Sequence, residues 1–166
     1  MKAKQMRGVF RYVFFAVSLF LFLSLSGCRT SGETASMRLY RMQETKLLPH
    51  GCVFDSEAEK WEEGYISAET AENLYRFDGV SELHHAERYA VFVSDRFGSV
   101  CEVGIFDAPD RASANELVLM CRRRIALLSR YAENADTGRL FVYGNTVVYV
   151  VGLDEKSTNA LLSAAF

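Results

Sequence analysis

Apolar residues fall along this chain in three patterns, each predicting a different kind of element. Between Ala112 and Ala132, the residues Ala114, Leu117, Val118, Cys121, Ile125, Leu128 and Ala132 recur at steps of three and four, the stripe of a long helix buried on one side. Short β-branched and aromatic runs, Arg88 to Asp95 and Val100 to Asp107, flank Arg96-Phe97-Gly98-Ser99 and predict a hairpin. A second hairpin is predicted from Arg139 to Tyr143 and Thr146 to Val151, because Gly144-Asn145 between them suits the positive φ angles of a tight turn. Ser56-Glu57-Ala58-Glu59 has the spacing of a capping box. Ser67 with Glu69 behind it can start a second helix through Arg76, and Asp154 can cap a last one.

The resulting order is two short helices, strand, strand, long helix, strand, strand, helix. It predicts an α+β domain: a four-stranded antiparallel sheet built from two hairpins in ββαββα order, with helices packed on it. Strand alternation then assigns the two faces. Tyr89, Val91, Val93, Cys101, Val103, Ile105, Leu140, Val142, Val147, Tyr149 and Val151 would receive the long helix. Phe92, Val100, Phe106, Phe141, Tyr143, Val148 and Val150 would share the other face, which is too apolar to stand in water. The segment around Val53, Phe54, Trp61, Tyr65 and Ile66 is the candidate cover, with a second copy or a partner as alternatives. Whatever it leaves open, centred on Phe92, Phe141 and Tyr143, is the candidate partner-binding surface.

The third pattern lies at the start. Lys2, Lys4, Arg7 and Arg11 precede an apolar run from Val13 to Leu25 that includes Ser18 and Ser24, followed by small residues, which is the anatomy of a signal peptide over residues 1–27. As a helix the run would span about 20 Å, against about 30 Å of bilayer hydrocarbon, so cleavage is favoured over a permanent span. Leu25-Ser26-Gly27-Cys28 resembles the lipobox of bacterial lipoprotein precursors. That resemblance implies diacylglyceryl transfer to the Cys28 thiol, acyl chains of the palmitate type, and Cys28 as the first mature residue. Two chains give stable anchoring where one gives only reversible binding. Residues 28–46 are mixed and polar and read as a tether, leaving residues 47–166 as one domain on the extracytoplasmic face of the cell membrane.

Composition narrows the chemistry. The 166 residues carry a formal charge of −2, but without the leader 15 basic face 21 acidic residues, a charge of about −6. An acidic body argues against nucleic acid as a partner. No Gly-x-Ser-x-Gly, Walker loop, Gly-x-Gly-x-x-Gly or EF-hand sequence is present, so neither an enzyme activity nor a cofactor is expected. His50 and Cys52 with His84 or His85 form only a weak zinc set, because the paired Cys-x-x-Cys spacing is missing, and no metal is expected. Cys101 and Cys121 both point inward and could be neighbours, although separate buried thiols are the favoured reading. In Arg122-Arg123-Arg124 the three side chains fan out around the helix, and Arg122 and Arg123 are assigned to a solvated face.

Leu74-Tyr75-Arg76-Phe77-Asp78, Glu102-Val103-Gly104-Ile105-Phe106, the arginine-bearing helix, Tyr143-Gly144-Asn145-Thr146-Val147-Val148 and Ala165-Phe166 stand in an order that resembles the bacterial domain-of-unknown-function 4358 family. Many members of that family look like lipoproteins, and the resemblance supplies no catalytic residue. The expectation is therefore a non-catalytic interaction module of the cell envelope, whose partners are the membrane, through its lipid anchor, and an envelope protein or wall component. A small-ligand-binding accessory lipoprotein is the alternative, and a hydrolase ranks third.

Overall fold

The computed structural model describes residues 32–95, 100–130 and 138–166. In chain order the elements are α1 (Ala35–Glu44), β1 (Gly51–Asp55), α2 (Ala68–Tyr75), a single 3-10 turn (Leu83–His85), β2 (Arg88–Ser94), β3 (Glu102–Asp107), α3 (Arg111–Leu128), β4 (Arg139–Tyr143), β5 (Thr146–Val151) and α4 (Glu155–Ala165). Every strand pair is antiparallel, and the sheet order is β1-β2-β3-β5-β4. The α+β architecture agrees with the hydrophobic pattern, but the sheet has five strands where four were predicted.

Local chemistry sets the boundaries. Asp110, Ser67 and Asp154 each accept a hydrogen bond from the backbone N–H three residues on, starting α3, α2 and α4. Gly144 has φ +61° in the turn between β4 and β5, a conformation open to glycine at little cost. The expected helix after Ser56 does not form. Ser56 Oγ instead accepts from Tyr89 N–H at 2.8 Å, while Asp55 and Glu62 side chains tie the following turns. Its hydroxyl thus extends the sheet and is not available as a helix cap.

The segment read as a tether is corrected more strongly. Residues 35–44 are helical, capped by Thr34, and bury Ala35, Leu39 and Met42 against the sheet. The compact unit accordingly begins at Glu33, not Leu47. Burying side chains such as Leu39 and Met42 contributes roughly 1.5–3 kcal/mol each. With only three inward positions in ten residues, the pattern fell below the threshold of a recognisable stripe.

Two cores lie on opposite faces of the sheet. On one, α3 and α2 pack over Val91, Phe106, Val147, Tyr149 and Val151. On the other, α1 and α4 cover Ala90, Phe92, Val103, Ile105, Val148 and Val150. The assigned faces hold for β2, β4 and β5 and are reversed for β3. Cys101, Val103 and Ile105 lie beneath α1 and α4, while Val100 and Phe106 pack on the α3 side. All six residues of β3 are buried, so it has no polar alternation to read, and the position of Glu102 decides its orientation.

Candidate functional site

The most chemically charged place in the molecule lies under α3. Glu102 on β3 is 1% exposed, and its two carboxylate oxygens accept from Arg124 Nε and Nη2 at 2.8 and 2.7 Å. Such a bidentate pair is strong because both bonds are charge-assisted. Tyr149 on β5 donates its hydroxyl to Glu102 as well, and the Tyr75 hydroxyl from α2 lies 2.9 Å from that of Tyr149. Arg124 also donates to the Leu74 carbonyl at 3.1 Å and stands 5.8 Å from the centre of the Tyr75 ring. A Cβ at Gly104 would meet Tyr149 Cε1 at 2.4 Å. That strand position must therefore be empty for Tyr149 to reach Glu102.

Electrostatics follow from burial. Tyr149 and Tyr75 are pushed well above the usual phenol value by burial, and the Glu102 charge adds to the shift. Burial also raises the Cys121 thiol, again with Glu102 contributing. Burial opposes the charge of Arg124, but its hydrogen bonds to Glu102 and the Glu102 charge prevail and raise its pKa. Both oxygens of Glu102 are engaged and the residue is closed to solvent, so this cluster joins β3, β5, α2 and α3 and presents no open reacting group.

A second polar cluster fastens α1. Asp107 at the end of β3 accepts from Ala35 N–H at 2.9 Å, from Arg38 Nη1 at 2.9 Å and from Thr146 Oγ1 at 2.7 Å. The first helical N–H thus finds a buried carboxylate, the charge preferred at a helix N-terminus. Arg38 lies 5.0 Å from the centre of the Phe166 ring, which stacks on Tyr143 at 4.1 Å.

The predicted site residues separate. Cys28 lies outside the described residues. Phe92 is 1% exposed beneath the protein's own helices, so it is withdrawn from the partner-binding surface. Phe141 is half-buried against the same core, whereas Tyr143 remains 39% exposed. The cover is α1 with α4, and of the segment predicted for it Val53 alone packs against this core. Val53 belongs to edge strand β1, and Trp61 is 90% exposed. Cys101 and Cys121 sit in different cores and, with exposed Cys52, are free thiols. Burial raises the Cys101 thiol to about 11. His50 pairs with Asp95 at 2.6 Å in the open, and the His84 and His85 rings lie 4.2 Å apart. Among the described residues, no group of three metal-binding side chains occurs and no helix is long and apolar enough to cross a membrane.

Neither buried cluster was expected from the sequence, although both left a signal in it. Arg124 continues the stripe Leu117, Cys121, Leu128 at helical spacing, and Glu102 is the lone charge within the apolar run from Val100 to Phe106. Arg123, assigned to a solvated face, pairs with Glu82. A shallow groove of about 510 Å³ separates α1 from β1, lined by Met37, Leu39, Tyr40 and Val53 among others. Comparison of the chain with protein-family models, with curated proteins and with solved structures gives no match.

Proposed function

We propose that this chain is the precursor of a bacterial lipoprotein, held by acyl chains on Cys28 at the outer face of the cytoplasmic membrane, and that its domain is a non-catalytic interaction module of the cell envelope. The observation that carries this reading is Leu25-Ser26-Gly27-Cys28 at the end of the apolar run Val13 to Leu25, behind a cationic start. In this reading residues 1–27 are a signal peptide and the partners are the bilayer and an envelope protein or wall component. Membership of the domain-of-unknown-function 4358 family belongs to the same proposal and rests on the segments Leu74 to Asp78, Glu102 to Phe106 and Tyr143 to Val148. Support for an interaction role comes from the buried ionic clusters, which are spent on joining elements to one another.

Detergent phase partitioning tests the anchor. The wild-type chain, expressed in a bacterial host, is expected in the detergent phase, and Cys28→Ser is expected to remain an unprocessed precursor. A Cys28→Ser chain that is processed and partitions like wild type would overturn the lipid anchor.

A further inference from the structure

The two ends of the sheet differ in a way that bears on how the domain meets a membrane. One end gathers the Gly144-Asn145 turn, the start of α1, the start of α3 and the end of α4. There Tyr143 and Phe166 stack with their rings 11° from parallel and remain 39% and 42% exposed. Exposed Arg111 reaches the Gly144 carbonyl from Nη1 at 3.3 Å. The other end carries the His50–Asp95 pair, Asp154, Glu155 and Lys156, all exposed and polar. A six-residue strand alone separates the ends by about 20 Å.

The point where the chain enters the domain is fixed at the first of these ends. Ala35 N–H is held by Asp107, and Arg38 of the same helix is bonded to Asp107 and Thr146, so the start of α1 cannot swing to the far end. Cys28 is seven residues before Ala35, and seven extended residues reach at most about 25 Å.

We infer that the Tyr143–Phe166 end of the domain lies against the bilayer, with the two rings and Arg111 in the headgroup layer, and that the His50–Asp95 end faces away from the membrane. This rests on the anchor at Cys28 proposed above. The occupant is a lipid surface because the short chain between Cys28 and Ala35 brings no other surface so near. Amphipathic aromatic rings also settle at the membrane–water interface, and a guanidinium pairs well with lipid phosphate. An acidic body of about −6 has no general attraction to anionic lipid, so contact rests on the ring pair and on Arg111, beside which Asp110 is also exposed. The polar end is then the one open to an envelope partner.

The test uses the full lipidated chain in vesicles of phosphatidylethanolamine and phosphatidylglycerol that include a lipid with a nitroxide on its headgroup. A fluorophore is placed at Asn145→Cys or at Lys156→Cys, both exposed positions, each with Cys52→Ser to remove the exposed thiol. The label at 145 is expected to lose most of its fluorescence while the label at 156 keeps most of it. Tyr143→Ser with Phe166→Ser is expected to remain vesicle-bound and to lose that difference. Co-flotation with equal or reversed quenching would overturn the orientation alone. A difference unchanged in the double variant would overturn the role of the aromatic pair. Failure of the labelled, processed chain to float with vesicles would overturn the anchor and the orientation together.

Discussion

The two faces of the sheet are covered by different means. On one face the long α3, with the short α2 beside it, closes over a core that contains an ion pair and two joined phenols. Beneath α1 and α4 two shorter helices close over a largely hydrocarbon core of Phe92, Val103, Ile105, Val148 and Val150. Directional bonds dictate which side chain stands where on the first face. On the second face the Asp107 cluster fixes the start of α1, and volume and apolarity govern the rest, a kind of core that accepts many hydrophobic arrangements. The contrast explains β3, whose residues from Val103 to Phe106 carry no charge and suit either core, and whose orientation follows from Glu102 meeting Arg124.

Mutations can break that contrast. On the α3 face, Arg124→Ala leaves a buried carboxylate without its cation and is expected to cost about 3–5 kcal/mol in urea unfolding. Exchanging both partners for apolar residues, Glu102→Leu with Arg124→Met, is expected to cost clearly less than the single change. Equal costs would mean that the pair is not the organising contact.

On the second face, Leu39→Ala is expected to cost about 2–5 kcal/mol, as for other fully buried leucines. A tether at residues 28–46 would give no change, so this measurement separates a docked α1 from a free one. Gly144→Val probes a site belonging to neither core. Its Cβ would meet nothing within 4 Å, so only the φ of +61° is at stake. The melting temperature is expected to fall by the equivalent of about 1–2 kcal/mol.

The last contrast is silent at neutral pH and emerges in alkali. Tyr75 and Tyr149 hold their protons above the usual phenol value of about 10, whereas the unfolded chain releases them near it. Deprotonation above that pH therefore favours the unfolded state. Stability from this source is whole below about pH 10 and is lost as pH rises. Unfolding followed from pH 7 to 11 checks it, and Tyr75→Phe is expected to lessen the loss.

These differences also show which features were legible in the sequence. The second hairpin was readable because its two β-branched and aromatic runs flank a Gly-Asn turn, and α3 because its stripe repeats from Ala114 to Leu128 within an 18-residue helix, Ala132 lying outside the described residues. Helix α1 was not, since it rests on three buried side chains and leaves Met37 and Tyr40 exposed. Strand β1 was read as part of a cover because Val53 and Phe54 are apolar, but edge pairing with β2 uses backbone groups that composition does not record. The buried clusters join residues 22 to 108 positions apart, a relation that no local pattern encodes. Of the predicted partner-binding surface, Tyr143 keeps its exposure because it lies beside the turn, where the covering helices end.

The central claim is that Cys28 becomes the acylated first residue of the mature chain, a few residues before α1. Intact mass spectrometry of the membrane-extracted protein tests it most directly. The expected result is a chain beginning at Cys28 whose excess mass is that of a thioether-linked diacylglyceryl group and is lost on Cys28→Ser. A mature chain with an unmodified Cys28, or one cut elsewhere, would contradict the account.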